Sequence, residues 1–334
     1  MQQPNYIKEK MVISLIAPSF GCTTEPYKTR LKEAIKKLQK MNYKIKEGPN
    51  IYLAAGVCSS NTPELRAKEF MDSYLDPESN LILSVGGGEL MNEILPFIDF
   101  QKIKNLPPKW FMGFSDNTNL TFTLTTLCNI KTIYGPNAPS FFRPRLQYAN
   151  LDAIKMLKGE KNFKGYNKFE LEPIKDDNNP LTKLNLKKKK IITPYKYEKP
   201  FEGIMLGGCL DCLVNLCGTK YDNVKEFTKN KEIIWFLEAC DLDPLGIRRA
   251  LFELKEAGWF KTATGFIIGR AMHYNDDIFG LNRITAVTGI LGDLNLPILL
   301  DIDLGHLSPS MPIMTGAKAK VSYKDENIFI DYLD

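Results

Sequence analysis

Histidine is the scarcest chemistry-bearing residue here: the 334-residue chain has two, His273 and His306. A reaction that needs an imidazole base has those two choices only. Tryptophan is nearly as rare, at Trp110, Trp235 and Trp259, and is absent from 151–200. No apolar run approaches the roughly 20 residues of a membrane span. The run over 11–17 is too short to anchor, and the first ten residues are polar. A cytoplasmic protein without membrane contact is the expectation. Neither sign of charge dominates. The 44 basic and 39 acidic residues leave a net +5, too mild to argue for a nucleic-acid partner. Gly86-Gly87-Gly88 lacks the Gly-x-Gly-x-x-Gly spacing, and no Lys-Ser/Thr follows it. Neither common nucleotide loop is present. No internal repeat is evident.

The seven cysteines are odd in number and widely scattered, which argues for reduced thiols. Cys209-x-x-Cys212 with Cys217 has a metal-like spacing. Yet Leu210, Leu213, Val214 and Leu216 make the segment an apolar helix with no histidine nearby. These thiols read as small buried residues, and no metal is expected.

What is present is ordinary globular composition, 44% hydrophobic and 25% charged, over a length that suits two domains. The first part alternates. Strands are predicted over 11–16, 43–47, 80–85, 110–114 and 132–134. A helix over 27–41 carries Leu31, Ile35, Leu38 and Met41 on one face. Another opens with Thr62 as cap and Pro63 at its first position, and a third covers 89–95. Such alternation predicts an α/β fold with a parallel, flavodoxin- or Rossmann-like sheet flanked by helices. Its functional residues would lie beyond the carboxyl ends of the strands.

The segment 151–200 reads as an interdomain crossing. It holds Asp176-Asp177-Asn178-Asn179-Pro180 and a lysine run, Lys187 to Lys190, read as a solvated surface. A second domain follows over 201–334, with strands over 233–238, 266–269, 297–300, 318–323 and 327–330. Its helix over 244–257 stops at Gly258. The division expected is 1–150, 151–200 and 201–334.

The chemistry centres on Gly113-Phe114-Ser115-Asp116. An apolar strand precedes it and a helix over 117–127 follows. A serine on a sharp turn between strand and helix exposes its hydroxyl, and the helix start aims N–H groups at an oxyanion. Gly86 to Gly88 sit at a second strand-to-helix turn, where a substrate can approach the backbone. His306 and His273 each follow an apolar strand, and either could be the base. Glu238 ends a buried run and needs a partner there; Asp241 and Asp243 compete with it. Arg248 or Arg249 could meet a substrate carboxylate, although arginines on a helix surface more often face acids.

The chain resembles the LD-carboxypeptidase (muramoyltetrapeptide carboxypeptidase) family of serine peptidases, including its microcin C self-immunity branch. The resemblance rests on Ala17-Pro18-Ser19, Ser84-Val85-Gly86-Gly87-Gly88, Leu95-Pro96-Phe97-Ile98-Asp99, Gly113-Phe114-Ser115-Asp116-Asn117-Thr118 and Tyr134-Gly135-Pro136. It continues through Glu202-Gly203, Gly207-Gly208, Leu237-Glu238, Arg248-Arg249-Ala250-Leu251 and Gly305-His306. These segments stand in the family's order over nearly the whole chain.

The resemblance implies a Ser115-Glu238-His306 triad and an oxyanion hole from the backbone N–H groups of Gly87 and Asp116. Gly86 and Gly88 would line the substrate. It implies no cofactor, a compact and largely β second domain, and a homodimer. The substrate would be a small peptide or muropeptide, cut after an L-configured centre to release a D-amino acid, usually terminal D-alanine. The immunity branch instead hydrolyses an amide in a peptidyl- or aminoacyl-nucleotide. A non-catalytic ligand-binding α/β protein using Gly86 to Gly88 is the remaining reading.

The chain departs from the family pattern in two places. The immunity branch is expected to stack a nucleobase on aromatics that include an interdomain tryptophan. Here Phe141, Phe142, Tyr195 or Tyr197 could substitute, although ordinary packing explains them as well. Cys209 also stands where a polar residue, often asparagine, is expected.

Overall fold

The computed structural model describes residues 1–334 except Pro144, Lys175 and Asp177; Asp177 of the acidic run thus lies outside the described residues. The chain forms two compact units. The first comprises Met1–Glu160, Ile174–Lys183 and Pro312–Met314. The second comprises Lys161–Pro173, Leu184–Met311 and Thr315–Asp334.

The first unit is built on β1 (Val12–Ile16), β2 (Lys44–Glu47), β3 (Ser79–Ser84), β4 (Trp110–Gly113) and β5 (Thr132–Tyr134). All neighbours among these five pair in parallel, in the order β5-β4-β3-β1-β2. Ile313–Thr315 adds an edge strand beside β5. Leu81–Ser84 of β3 and all of β4 are buried, as expected of parallel strands covered on both faces. Among the helices are α1 (Tyr27–Lys40) and α2 (Pro63–Leu75), and α1 buries Leu31, Ala34, Ile35 and Leu38. That spacing is one helical face turned to the sheet.

Two local expectations hold with refinements and one is corrected. Thr62 takes the N-cap position of α2 in extended backbone but makes no side-chain cap hydrogen bond. Its N–H is instead satisfied by Asn61 Oδ1 at 2.9 Å. The segment after Gly88 is a 3₁₀ helix, Met91–Phe97, rather than an α-helix, with Pro96 inside it. The helix after Ser115 starts at Thr118 and runs to Cys128, following a separate 3₁₀ turn over Ser115–Asn117. It is buried nearly all round. Its threonines are satisfied inside the core: Thr126 Oγ1 donates to Phe122 O at 2.9 Å.

The second unit holds an eight-stranded mixed sheet. Its centre is parallel: Phe201–Cys209, Ile233–Glu238, Ala263–Gly269 and Ile298–Ile302. Lys318–Lys324, Asn327–Tyr332 and Asn162–Lys164 extend one side antiparallel, and Thr193–Tyr195 the other. The unit is β-rich, as expected, but it also carries helices at Leu210–Leu216, Pro244–Glu256 and Arg283–Leu291. Parallel neighbours need such crossovers. Gly258, at φ 84°, lies just past the Pro244–Glu256 helix.

The lysine run corrects another expectation. Lys188–Lys189 is an exposed two-residue strand against Lys168–Phe169, but Lys190 is buried. Among the described residues no helix is long and apolar enough to cross a membrane.

Candidate active site

Ser115 stands just past the carboxyl end of β4 with φ 65°. A left-handed conformation costs a non-glycine residue roughly 1–2 kcal/mol, so the surroundings must hold it. The Ser115 N–H donates to Tyr134 Oη at 3.1 Å and the Phe114 N–H to Asn137 Oδ1 at 3.0 Å. Asn117 Nδ2 donates to Phe114 O at 2.8 Å and to Gly86 O at 2.9 Å. One buried amide thereby joins the serine turn to the glycine turn.

That staple also orients the glycines. With Gly86 C=O aimed at Asn117, the trans peptide turns the Gly87 N–H the opposite way. Gly87 lies directly against the serine: a Cβ there would sit 2.9 Å from Ser115 Cβ and 3.2 Å from Ser115 Oγ. Gly87 O accepts from Phe20 N–H at 3.0 Å. Gly88 abuts Ser19 Oγ.

Asp116 is buried, and its carboxylate is a junction. Oδ2 accepts from Ser19 Oγ at 2.5 Å and from Met91 N–H at 2.9 Å, and Oδ1 accepts from Asn119 Nδ2 at 2.9 Å. Burial raises its pKa, against the pull of Ser19, Met91, Arg66 and Asn119. The Ala17-Pro18-Ser19 turn is itself held by buried charges of α2. Glu69 accepts from Ala17 N–H at 2.9 Å, and Arg66 donates to Pro18 O at 3.1 Å. In the sequence Asn117, Tyr134 and Ser19 stand only as members of motifs. An asparagine two residues after a candidate nucleophile was the available signal.

In the second unit Glu238 ends its strand and is 1% exposed. Its Oε2 lies 2.9 Å from His306 Nδ1. The His306 side chain is 16% exposed while that of Glu238 is fully buried, so the ring alone reaches solvent. Burial pushes the His306 pKa down. The Glu238 carboxylate and a hydrogen bond with Cys240 outweigh that and raise it well above 6.5. Burial raises the pKa of Cys240 itself despite that contact.

The competing groups lie elsewhere. His273 Nδ1 pairs with Asp276 Oδ2 at 2.7 Å on the surface. Asp243 caps the Pro244–Glu256 helix through Gly246 N–H at 2.7 Å. The exposed Asp241 gives its N–H to Asp211 Oδ1 at 2.8 Å. Arg248 Nη1 donates to Thr285 O at 3.2 Å. All three tryptophans are buried, with Trp235 and Trp259 stacked at 5.7 Å and Trp110 Nε1 donating to Asn5 O. Phe141 and Phe142 are buried as well. Tyr197 accepts from Tyr323 N–H at 2.8 Å. Cys209 and Cys212 are buried, and Cys209 Sγ donates to Asp211 Oδ2 at 3.3 Å.

A doubly built α/β chain with a serine on a strained turn and a buried glutamate–histidine pair has the parts of a serine hydrolase. Comparison with known proteins makes the class specific. Residues 13–135 match the LD-carboxypeptidase N-terminal domain and residues 202–321 the LD-carboxypeptidase C-terminal domain. The chain belongs to the LD-carboxypeptidase family and is a serine peptidase.

It is 27% identical over 317 residues to the Microcin C7 self-immunity protein MccF of Escherichia coli, covering 91% of this chain and 88% of that one. A probable murein peptide carboxypeptidase of Bacillus subtilis is 24% identical over 344 residues, 98% of this chain and 94% of its own. Two solved structures share the fold. MccF in its wild-type apo state has a TM-score of 0.85 at 24% identity, with 99% of each chain covered. The muramoyltetrapeptide carboxypeptidase from Oxalobacter formigenes has a TM-score of 0.75 at 20% identity, covering 97% of this chain and 99% of its own.

Proposed function

We propose that this serine peptidase is an LD-carboxypeptidase that releases terminal D-alanine from murein tetrapeptides. Ser115 Oγ attacks the scissile carbonyl as its proton passes to His306 Nε2. Glu238 holds the ring by accepting from Nδ1–H and stabilises the imidazolium. The N–H groups of Gly87 and Asp116 receive the oxyanion. The C–N bond then breaks, and the leaving amine of D-alanine takes the proton from His306. Water, deprotonated by the same base, frees the tripeptide acid and restores Ser115. Here 1–150 carry the nucleophile, 201–334 carry the acid–base pair and 151–200 form the crossing. No cofactor takes part. Recycling of wall peptides in the cytoplasm, by a homodimer, is the setting this reading carries.

The observation that carries the proposal is the buried Glu238–His306 pair at 2.9 Å. It gives the only histidine with a fully buried acid partner, among the described residues, the environment of a general base. The burial of all three tryptophans favours a peptide over a nucleobase conjugate.

A second reading is hydrolysis of an aminoacyl-nucleotide amide. Its support is the 27% identity to the self-immunity protein, which has been solved in complex with glutamyl sulfamoyl guanosine.

Mass spectrometry of purified protein with both substrates separates the readings. D-alanine loss from the tetrapeptide, absent in Ser115→Ala, is expected. Serine-dependent cleavage of the nucleotide amide alone would move the enzyme to the second reading. Full turnover by Ser115→Ala would end both.

A further inference from the structure

We infer that Arg270 is a positioning residue for His306, acting through the loop from Asp303 to Met311. The inference rests on the proposed role of His306.

Arg270 follows the strand Ala263–Gly269 and is fully buried. Its Nη1 donates to Asp303 Oδ1 at 2.7 Å, and its Nη2 donates to Leu307 O and Pro309 O, both at 3.0 Å. Its own N–H donates to Leu304 O at 2.9 Å. One side chain thus grips the loop on both sides of His306. The loop closes at its base, where Met311 N–H donates to Asp303 O at 2.7 Å. Asp303 is held from behind: Oδ2 accepts from Lys190 Nζ at 2.9 Å and from Tyr166 N–H at 2.6 Å. Lys190 Nζ also donates to Asn327 Oδ1 at 2.6 Å.

The outer face of the loop is packed. Leu307 clusters with Phe169 and Tyr274, whose rings lie 5.5 Å apart. The Arg270 guanidinium lies 4.5 Å from the Phe169 centroid, and that of Arg283 lies 3.8 Å from the Tyr274 centroid.

Two cations and one carboxylate buried together are a poor way to gain stability, because desolvation offsets the attraction. They do give a fixed geometry. The loop has no ladder of its own to orient His306. A planar fork bonded to one carboxylate and two carbonyls constrains it in three directions. A lysine has the charge but not the fork. A general base must stay within about 2.6–3.2 Å of its proton, so the hold on the loop becomes a hold on the reaction.

Arg270→Lys, with full-length protein, tests this. The wild type and the variant are compared by thermal unfolding, by kcat and KM on the tetrapeptide, and by NMR titration of the histidine rings. Only His273 and His306 contribute signals, and His273→Gln assigns them. The folded variant is expected to lose about 10²-fold in kcat with KM changed little. Its His306 titration should move down toward the ordinary histidine value as the Glu238 contact loosens.

A folded variant with wild-type kcat and an unmoved His306 titration would overturn the inference, as would a loss of thermal stability alone. If Arg270→Lys does not fold, Lys190→Met replaces it. That variant leaves the guanidinium in place and frees one side of Asp303. It should shift His306 in the same sense with a several-fold loss in kcat, and unchanged values would be equally fatal. The ring titration needs no substrate. A moved His306 in a protein that turns over nothing keeps the hold on the ring and removes only the peptidase role proposed for it.

Discussion

Glu238 Oε2 meets His306 Nδ1 at 2.9 Å although the two residues are 68 positions apart in the chain. The acid is at a strand end in the sheet core, and the histidine is on a loop after another strand of the same sheet. Burial of the acid and partial exposure of the ring are what a base needs. One side is fixed and the other can reach a reacting group.

In the proposed mechanism the pair sets the pH dependence. His306 accepts a proton only when neutral, and its pKa is raised well above 6.5. The kcat/KM profile should therefore climb with pH and reach half its plateau above 6.5. Glu238→Gln removes the main force raising the pKa and should move that limb to lower pH while cutting kcat. The stability linkage runs opposite to activity. A raised histidine contributes stability that is complete below the unfolded value and is lost as pH rises through the folded value. An unshifted limb in Glu238→Gln would contradict the account.

Cys240 contributes to the same shift through its hydrogen bond with His306. Cys240→Ala should lower the kcat/KM inflection without abolishing turnover. Burial holds the thiol above its usual range, so alkylation of Cys240 at neutral pH should be slow. Rapid modification measured by intact mass would count against this placement.

Gly87→Ala tests the approach of backbone to nucleophile. The added methyl would sit 2.9 Å from Ser115 Cβ and must displace the serine. We expect kcat to fall about 10²–10³-fold, the loss typical of one oxyanion donor, with little change in melting temperature. Wild-type turnover would remove Gly87 from the site.

Asn117→Ala removes the amide shared by Phe114 O and Gly86 O. Gly86 O keeps the Ser84 hydroxyl and Phe114 O keeps the backbone N–H of residue 117, so the loss is that of ordinary hydrogen bonds, about 0.5–1.5 kcal/mol each, read as a lower urea midpoint. Because the amide joins the serine turn to the glycine turn, kcat should fall as well. A stability loss with unchanged kcat would reduce Asn117 to a structural role.

Gly207 predicts a purely structural defect. Its φ is 150°, and a Cβ there would drive into Phe236 O of the paired strand. Gly207→Ala should destabilise the protein by about 3 kcal/mol or more, measured by denaturant unfolding.

The parallel sheet of the first unit was legible because its strands are short apolar runs separated by one-sided helices. The helix after Ser115 carried little amphipathic signal because it is buried nearly all round. The strand Phe201–Cys209 was missed because its glycines, Gly203, Gly207 and Gly208, look like loop residues. Only the sheet shows that Gly207 is there because a neighbouring strand comes too close for a side chain. Lys190 was hidden in a lysine run, where composition speaks for solvent. Its burial depends on Asp303 and Asn327, which are more than a hundred positions away.

By itself the sequence determined what depends on neighbours along the chain: the alternation of strands and helices, the serine placed at a strand-to-helix turn, and the two-histidine limit on any imidazole chemistry. Hydrophobic period and turn chemistry act over a few residues, and a single chain displays them. The tertiary structure decided which histidine meets Glu238, what Asn117 and Tyr134 hold, and how Arg270 grips the His306 loop. Each of these is a contact between distant segments. It is set by strand order and by the few buried groups that must find partners, and neither is written in local spacing.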